Sequence, residues 1–152
     1  MAWNRLAAVG TGMVLAAGLT STPASAAPVT TRFENQVAPL KCLDYYAARG
    51  IYLTSCNSGD FQEWIWNNDP DSVTALRQVA SRLCLTLRND QLAMKPCAAA
   101  DEAARWFITS STPGGRMIQN TVSGKCLARM GDEFVSTAAC IGGPSQRWKI
   151  LP

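Results

Sequence analysis

The sequence contains no histidine, few charged residues and no apolar run of membrane length beyond its N-terminal segment. Without histidine, the commonest general base and the usual activator of a serine or cysteine nucleophile are missing. Neighbouring acidic residues such as Asp132 and Glu133 stand in turn-like contexts, where carboxylates are common for backbone reasons. The cysteines include no C-x-x-C pair, so no zinc site is predicted. We therefore expect a protein that is not an enzyme and has no metal or cofactor.

The N-terminal segment reads as a secretory signal peptide over residues 1–26. Arg5 supplies the positive start, an apolar stretch follows, and Ala24-Ser25-Ala26 is a small-residue cleavage motif. A membrane anchor is disfavoured, because the apolar stretch is short and ends without a charged stop. The mature chain, residues 27–152, keeps a net charge of +2 once Arg5 is removed. This charge is too small to predict a nucleic-acid partner, and secretion of one domain is expected.

The mature part consists of three copies of one unit. Two landmark residues recur at a constant spacing of 42 residues, a cysteine that opens each copy and a tryptophan that closes it. They are Cys42, Cys84 and Cys126, and Trp64, Trp106 and Trp148. Repetition at a fixed period indicates one supersecondary unit packed against copies of itself. The copies span about residues 33–74, 75–116 and 117–152. The repeated tryptophans are best interpreted as a shared core.

The six cysteines of an exported chain predict disulfide bonds. Six cysteines allow about 15 pairings on sequence grounds alone. The pairing that respects the repeat joins the two cysteines inside each copy, which gives Cys42 with Cys56, Cys84 with Cys97 and Cys126 with Cys140. One disulfide per repeat is therefore expected.

The apolar groups between the landmarks have strand length and are bounded by turn residues, so the fold class is all-β. A propeller normally needs four to eight blades, and no segment has the stripe of a helical solenoid. A closed threefold β barrel remains. Ala98 to Arg105 has local helix propensity, and we expect a loop with one helical turn there.

These landmarks resemble the ricin-type β-trefoil lectin family, whose repeats carry a Gln-x-Trp signature. The matching motifs are Cys42-Leu43-Asp44, Gln62-Glu63-Trp64 and Gln146-Arg147-Trp148. The middle copy departs from the signature, with Ala104 in place of glutamine. The resemblance implies a β-trefoil and a carbohydrate-binding function.

The first copy carries the residue types that sugar recognition needs. These are a carboxylate for hydroxyls, an amide that donates and accepts, and aromatic surface for the sugar ring. The candidates are Asp44, Tyr52, Asn57 and Phe61. With Gln62, they resemble the pocket of the actinohivin-like branch of the family. That resemblance implies a mannose-type glycan, whereas Thr54 and Phe61 stand where galactose-binding relatives have an aromatic and an asparagine.

The other two copies lack this set. The matching positions are Thr86, Ala93, Ala98 and Ala103 in the middle copy, and Ala128, Ser136, Ile141 and Ser145 in the last. We therefore expect a monomer with a single weak sugar site. The alternative is a protein-binding module with a vestigial sugar site, in which exposed loop residues would form the contact. The candidates for that contact are Tyr45, Tyr46, Arg129 and Met130.

Overall fold

The computed structural model describes residues 27–109 and 112–152, and the predicted signal peptide lies outside them. Within these ranges the chain forms strands and two short 3₁₀ helices. The strands are β1 (Val29–Asn35), β2 (Lys41–Tyr46), β3 (Gly50–Ser55), β4 (Trp64–Trp66), β5 (Val73–Thr74), β6 (Arg77–Gln78), β7 (Leu83–Arg88), β8 (Gln91–Pro96), β9 (Trp106–Ile108), β10 (Ile118–Asn120), β11 (Lys125–Arg129), β12 (Val135–Ala139) and β13 (Trp148–Leu151). No helix among the described residues is both long and apolar enough to span a membrane.

The first and last strands of the three repeats form a barrel. β1 pairs antiparallel with β4 and with β13, and β9 pairs with β5 and β10. β4 pairs with β6, and a bridge between Arg116 and Trp148 joins the end of the second repeat to β13. β1 begins at Val29, four residues before the expected start of the first copy, because Val29–Thr31 pairs with β4. The all-β class and the threefold architecture are confirmed.

The two middle strands of each repeat form a hairpin. The hairpins are β2–β3, β7–β8 and β11–β12, and strands from all three contact one another. In the first hairpin, the chain turns back where Arg49 N–H donates to the Tyr46 carbonyl at 2.8 Å. Gly50 follows with a φ of +83°, a conformation that residues with a β-carbon rarely adopt. The hairpins meet at one end of the barrel.

The three repeated tryptophans are fully buried, as the sequence analysis predicted. Each indole Nε1–H donates to a leucine carbonyl in its own repeat, so the polar atom of the buried ring is satisfied. The acceptors are Leu43 for Trp64 at 3.1 Å, Leu85 for Trp106 at 2.8 Å and Leu127 for Trp148 at 3.1 Å. The core is therefore built from one interaction used three times.

Buried side-chain amides connect neighbouring repeats around the barrel, including the first repeat to the third. Asn35 Nδ2 donates to the Ser145 carbonyl, and Asn120 Nδ2 donates to the Ala103 carbonyl, both at 3.0 Å. Gln78 Nε2 donates to the Phe61 carbonyl at 2.5 Å. The three acceptor residues are spaced by 42 positions, so the peptide group of Phe61 is part of the threefold scaffold whatever its ring does.

Each repeat contains one disulfide, and the prediction of one per repeat is confirmed. The bonds join Cys42 to Cys56, Cys84 to Cys97 and Cys126 to Cys140. The expected helical turn between Ala98 and Arg105 is present as a 3₁₀ helix over Glu102–Ala104, capped by the Asp101 carboxylate. A second 3₁₀ helix spans Pro144–Gln146 at the matching place in the third repeat.

Candidate functional site

The β2–β3 hairpin has one face on the core and one face outside it, because successive side chains of a strand point to opposite faces. Leu43 and Leu53 are cross-strand partners in the buried core. The adjacent cross-strand pair, Asp44 with Tyr52, lies on the outer face. Tyr46 lies two residues beyond Asp44 and therefore shares this outer face. The hairpin alternation thus brings together two of the predicted site residues.

Asp44 is almost completely buried, with 4% of its surface exposed. Burial raises the pKa of its carboxyl group, while the side chains of Gln62 and Tyr52 and the charge of Arg49 act in the opposite direction. Its Oδ1 atom is buried and accepts no hydrogen bond from the residues that the structure describes. Buried polar atoms nearly always have a partner, so this oxygen is an unsatisfied acceptor, which a small polar ligand reaches only when the side chains that cover it move.

Phe61 forms an exposed aromatic pair with Tyr46. The two ring centroids are 5.7 Å apart in an edge-to-face arrangement, and about half of each side chain is exposed. Phe61 was predicted as a wall of the site, whereas Tyr46 was assigned to the alternative contact. The signal for Tyr46 was present in the sequence, because a residue two positions after Asp44 lies on the same strand face.

Tyr52 contacts Arg49, a charged residue that connects the first repeat to the third. The guanidinium of Arg49 lies over its ring, 4.0 Å from the centroid. Arg49 in turn forms an ion pair with Glu133 of the third repeat at 2.6 Å, and Lys41 contacts the same carboxylate at 3.2 Å. Burial and the charge of Asp44 raise the pKa of the Tyr52 hydroxyl. No sequence signal predicted the Arg49–Glu133 pair, since the two residues are 84 positions apart.

Asn57 uses its side chain to shape its own loop. Its Oδ1 accepts from the Gly59 amide at 2.7 Å, and its Nδ2 lies 3.4 Å from the Ser55 carbonyl. A β-carbon on Gly59 would lie 2.8 Å from Asn57 Oδ1, so a larger residue there would displace the Asn57 side chain from this turn. The exposed amide nitrogen keeps hydrogen-bonding capacity toward a ligand.

Gln62 is fully buried and holds the loop that follows the second cysteine. Its Oε1 accepts from the Asn57 amide at 2.8 Å, and its Nε2 donates to the Ser55 carbonyl at 2.9 Å. Gln146 repeats both interactions in the third copy, with Ile141 and Ala139 as partners. The signature glutamine therefore supports the site from inside the fold, where its side chain hydrogen-bonds with Asp44, and it does not face the solvent.

The positions that match Asp44 in the other repeats are buried and carry no carboxylate. Thr86 is fully buried, and its hydroxyl donates to the Ala93 carbonyl at 3.0 Å. Ala128 is buried as well. Neither position offers a carboxylate oxygen as an acceptor, so the second and third repeats have no counterpart of Asp44.

The residues suggested for a protein contact do not form one exposed group. Tyr45 is a correction, because it lies in β2 and packs against the core rather than in an exposed loop. Arg129 is another, since it ends β11 and pairs with Asp132 at 3.3 Å. Tyr46 and Met130 are exposed.

Residues 29–148 match the sequence profile of the family described as "Ricin-type beta-trefoil lectin domain". This match spans nearly all of the described chain. No curated protein sequence matches the chain.

Solved structures share the fold at low sequence identity. A designed threefold-symmetric protein, ThreeFoil, is 19% identical with a TM-score of 0.70, over 81% of this chain and 98% of its own. The cytolethal distending toxin of Actinobacillus actinomycetemcomitans is 15% identical with a TM-score of 0.69, over 81% and 90%. A Polyporus squamosus lectin, solved with a human-type influenza-binding epitope, is 11% identical with a TM-score of 0.67, over 82% of this chain and 49% of its own.

Proposed function

The chain belongs to the ricin-type β-trefoil lectin family, and on this basis we propose that it is a secreted, non-catalytic module in which only the first of the three repeats keeps a weak carbohydrate site at the family's usual position. The site lies on the outer face of the β2–β3 hairpin. Asp44 accepts hydroxyl groups there, Tyr52 and Phe61 supply aromatic surface, and Asn57 contributes its amide nitrogen. Gln62 supports the site from inside the fold. Family membership supports the carbohydrate function, and the residues of the first repeat support this position for the site.

The observation that supports this position most directly is the buried Oδ1 atom of Asp44, which accepts no hydrogen bond within the described residues. A sugar hydroxyl would donate to this atom once a small shift of the covering side chains exposes it. The exposed Tyr46–Phe61 pair lies on the same side of the hairpin and offers rings to the C–H face of a sugar. A carboxylate acceptor beside exposed rings is the arrangement that carbohydrate recognition uses.

Weak binding follows from the size of the site. One shallow site with a few hydrogen bonds gives about 4 kcal/mol, which is millimolar affinity, and a monomer has no second copy to add avidity. A neutral mannose-type glycan is the proposed ligand, because the outer face has no aromatic at Thr54 for a galactose pocket. The absence of histidine from the sequence agrees with a role in binding rather than catalysis.

The test is a glycan array probed with the chain from Ala27 to Pro152, displayed on beads so that millimolar binding is detected. Asp44→Asn keeps the shape of the side chain and removes its charge, and Asp44→Ala removes the acceptor altogether. We expect a mannose-type signal that both variants lose while their circular dichroism is unchanged. A signal retained by both variants would contradict the first-repeat site.

A protein-binding module is the second candidate, and the exposed Tyr46–Phe61 pair is the observation that favours it. Aromatic side chains are enriched at protein interfaces. If the array gives no signal for any glycan, the proposal of a carbohydrate function fails. Affinity capture from the native secretome, with Phe61→Ala as the matched control, then tests whether this pair binds a protein.

A further inference from the structure

The end of the barrel where the three hairpins meet contains a cavity of about 600 Å³ that the sequence did not predict. Each repeat contributes a short stretch of its wall. These stretches are residues 49–52 of the first repeat, 90–92 of the second and 133–136 of the third. The volume lies within the range of small-molecule sites, about 300–1,000 Å³. The cavity exists only in the assembled fold, and we refer to it as the axial cavity.

An aromatic ring and free polar groups line the axial cavity together. Phe134 is 62% exposed at its wall. The side chains of Gln91 and Ser136 line the same cavity and form no hydrogen bond with the described residues. An amide both donates and accepts, and a hydroxyl does the same. The wall therefore combines a stacking surface with uncommitted hydrogen-bonding groups.

The charged residues of the axial cavity are held by ion pairs but keep acceptor capacity. Asp90 pairs with Lys125 at 2.7 Å, and Glu133 pairs with Arg49 at 2.6 Å. A carboxylate has about four acceptor positions, so neither group is saturated by these contacts. The three cations Arg49, Lys41 and Lys125 are all engaged by these two carboxylates, so the lining presents no unpaired charge to attract an ionic ligand.

We propose that the axial cavity is a second carbohydrate-binding site, which takes a neutral hexose unit. The C–H face of the sugar lies on Phe134, and its hydroxyls bond with Gln91, Ser136 and the carboxylate of Glu133. The site rests on the carbohydrate function proposed above but does not depend on Asp44. Tyr52 lines both sites, so a glycan long enough to occupy them together passes this residue.

The test is a titration followed by amide resonances of the chain from Ala27 to Pro152, with methyl α-mannoside up to about 100 mM, because millimolar affinity is expected. Shifts at Gln91, Phe134 and Ser136 report the axial cavity. Shifts at Asp44 and Phe61 report the first-repeat site.

Three variants separate the two sites. Phe134→Ala is expected to weaken binding at the axial cavity roughly tenfold and to leave the first-repeat shifts unchanged. Asp44→Asn is expected to have the opposite pattern. Val122→Ala truncates another exposed apolar residue of the third repeat, outside the axial cavity, and is expected to change neither.

The outcomes are distinguishable. Shifts at Asp44 and Phe61 alone would overturn the axial site and leave the first-repeat site standing. Shifts at Gln91, Phe134 and Ser136 alone would support the axial site and reject the other. Axial shifts that persist at full affinity in Phe134→Ala, or the absence of both sets of shifts, would also overturn the axial site.

Discussion

The guanidinium of Arg49 lies over the ring of Tyr52, 4.0 Å from its centroid, and it is held there by an ion pair with Glu133 of the third repeat. This contact covers part of the aromatic surface that the proposed sugar site would use. It also places a positive charge near Asp44 and Tyr52. Arg49 therefore controls both the access to the site and its electrostatics.

Arg49→Gln is expected to raise the pKa of Asp44 and of Tyr52 above their values in the unmodified protein. The positive charge of Arg49 favours the ionised form of both groups, so its removal disfavours ionisation. Carbon-detected resonance titrations of the carboxyl and phenol groups measure this change. Arg49→Lys keeps the charge and serves as the control. Equal pKa values in all three proteins would contradict the electrostatic role.

Glu133→Gln is expected to remove a pH-dependent part of the stability. Hydrogen bonds from Arg49 and Lys41 lower the pKa of Glu133 below its ordinary value of 4.5. The stabilisation is thus present above pH 4.5 and is lost as the pH falls through the lowered pKa. The Tm advantage of the unmodified protein should be small, because the pair is exposed, and should disappear in acid and in high salt. Thermal denaturation from neutral to acidic pH measures it.

Asp44→Asn is expected to have the opposite effect on stability. Burial raises the pKa of Asp44 above its ordinary value of 3.8, so ionisation of this group costs folding free energy. The variant should be more stable than the unmodified protein at neutral pH and should have a higher Tm. The difference should shrink as the pH falls through the raised pKa and vanish below 3.8. A variant less stable at neutral pH would show that the carboxylate has a structural role.

Gln62→Ala and Gln146→Ala form a matched pair. Each substitution removes hydrogen bonds from a buried amide to partly buried backbone groups, and each should lower the free energy of unfolding by about 1–3 kcal/mol. Only Gln62→Ala should also weaken glycan binding, because Gln62 supports Asp44 and the loop of Asn57. Chemical denaturation and the bead assay measure the two effects. A loss of binding in Gln146→Ala would indicate that the first repeat is not the binding site.

The candidate site could be predicted only in part from residue types. Asp44 and Tyr52 are cross-strand partners in the β2–β3 hairpin, and the alternation of side chains along the two strands indicates that they share one face. The role of each candidate residue could not be predicted in this way. Gln62 and most of Asn57 are engaged with backbone groups, and Tyr46 stands beside Phe61, because the loop after Cys56 folds back over the hairpin.

The repeat, the all-β class and one disulfide per repeat follow from the order of the residues alone. A constant spacing of cysteine and tryptophan specifies the same local structure three times, and local structure depends on neighbouring residues. Only the tertiary structure decided the contacts between repeats. The Arg49–Glu133 pair and the axial cavity depend on where one hairpin turn lies relative to another. That geometry follows from closure of the barrel, a long-range property that no spacing within one repeat records.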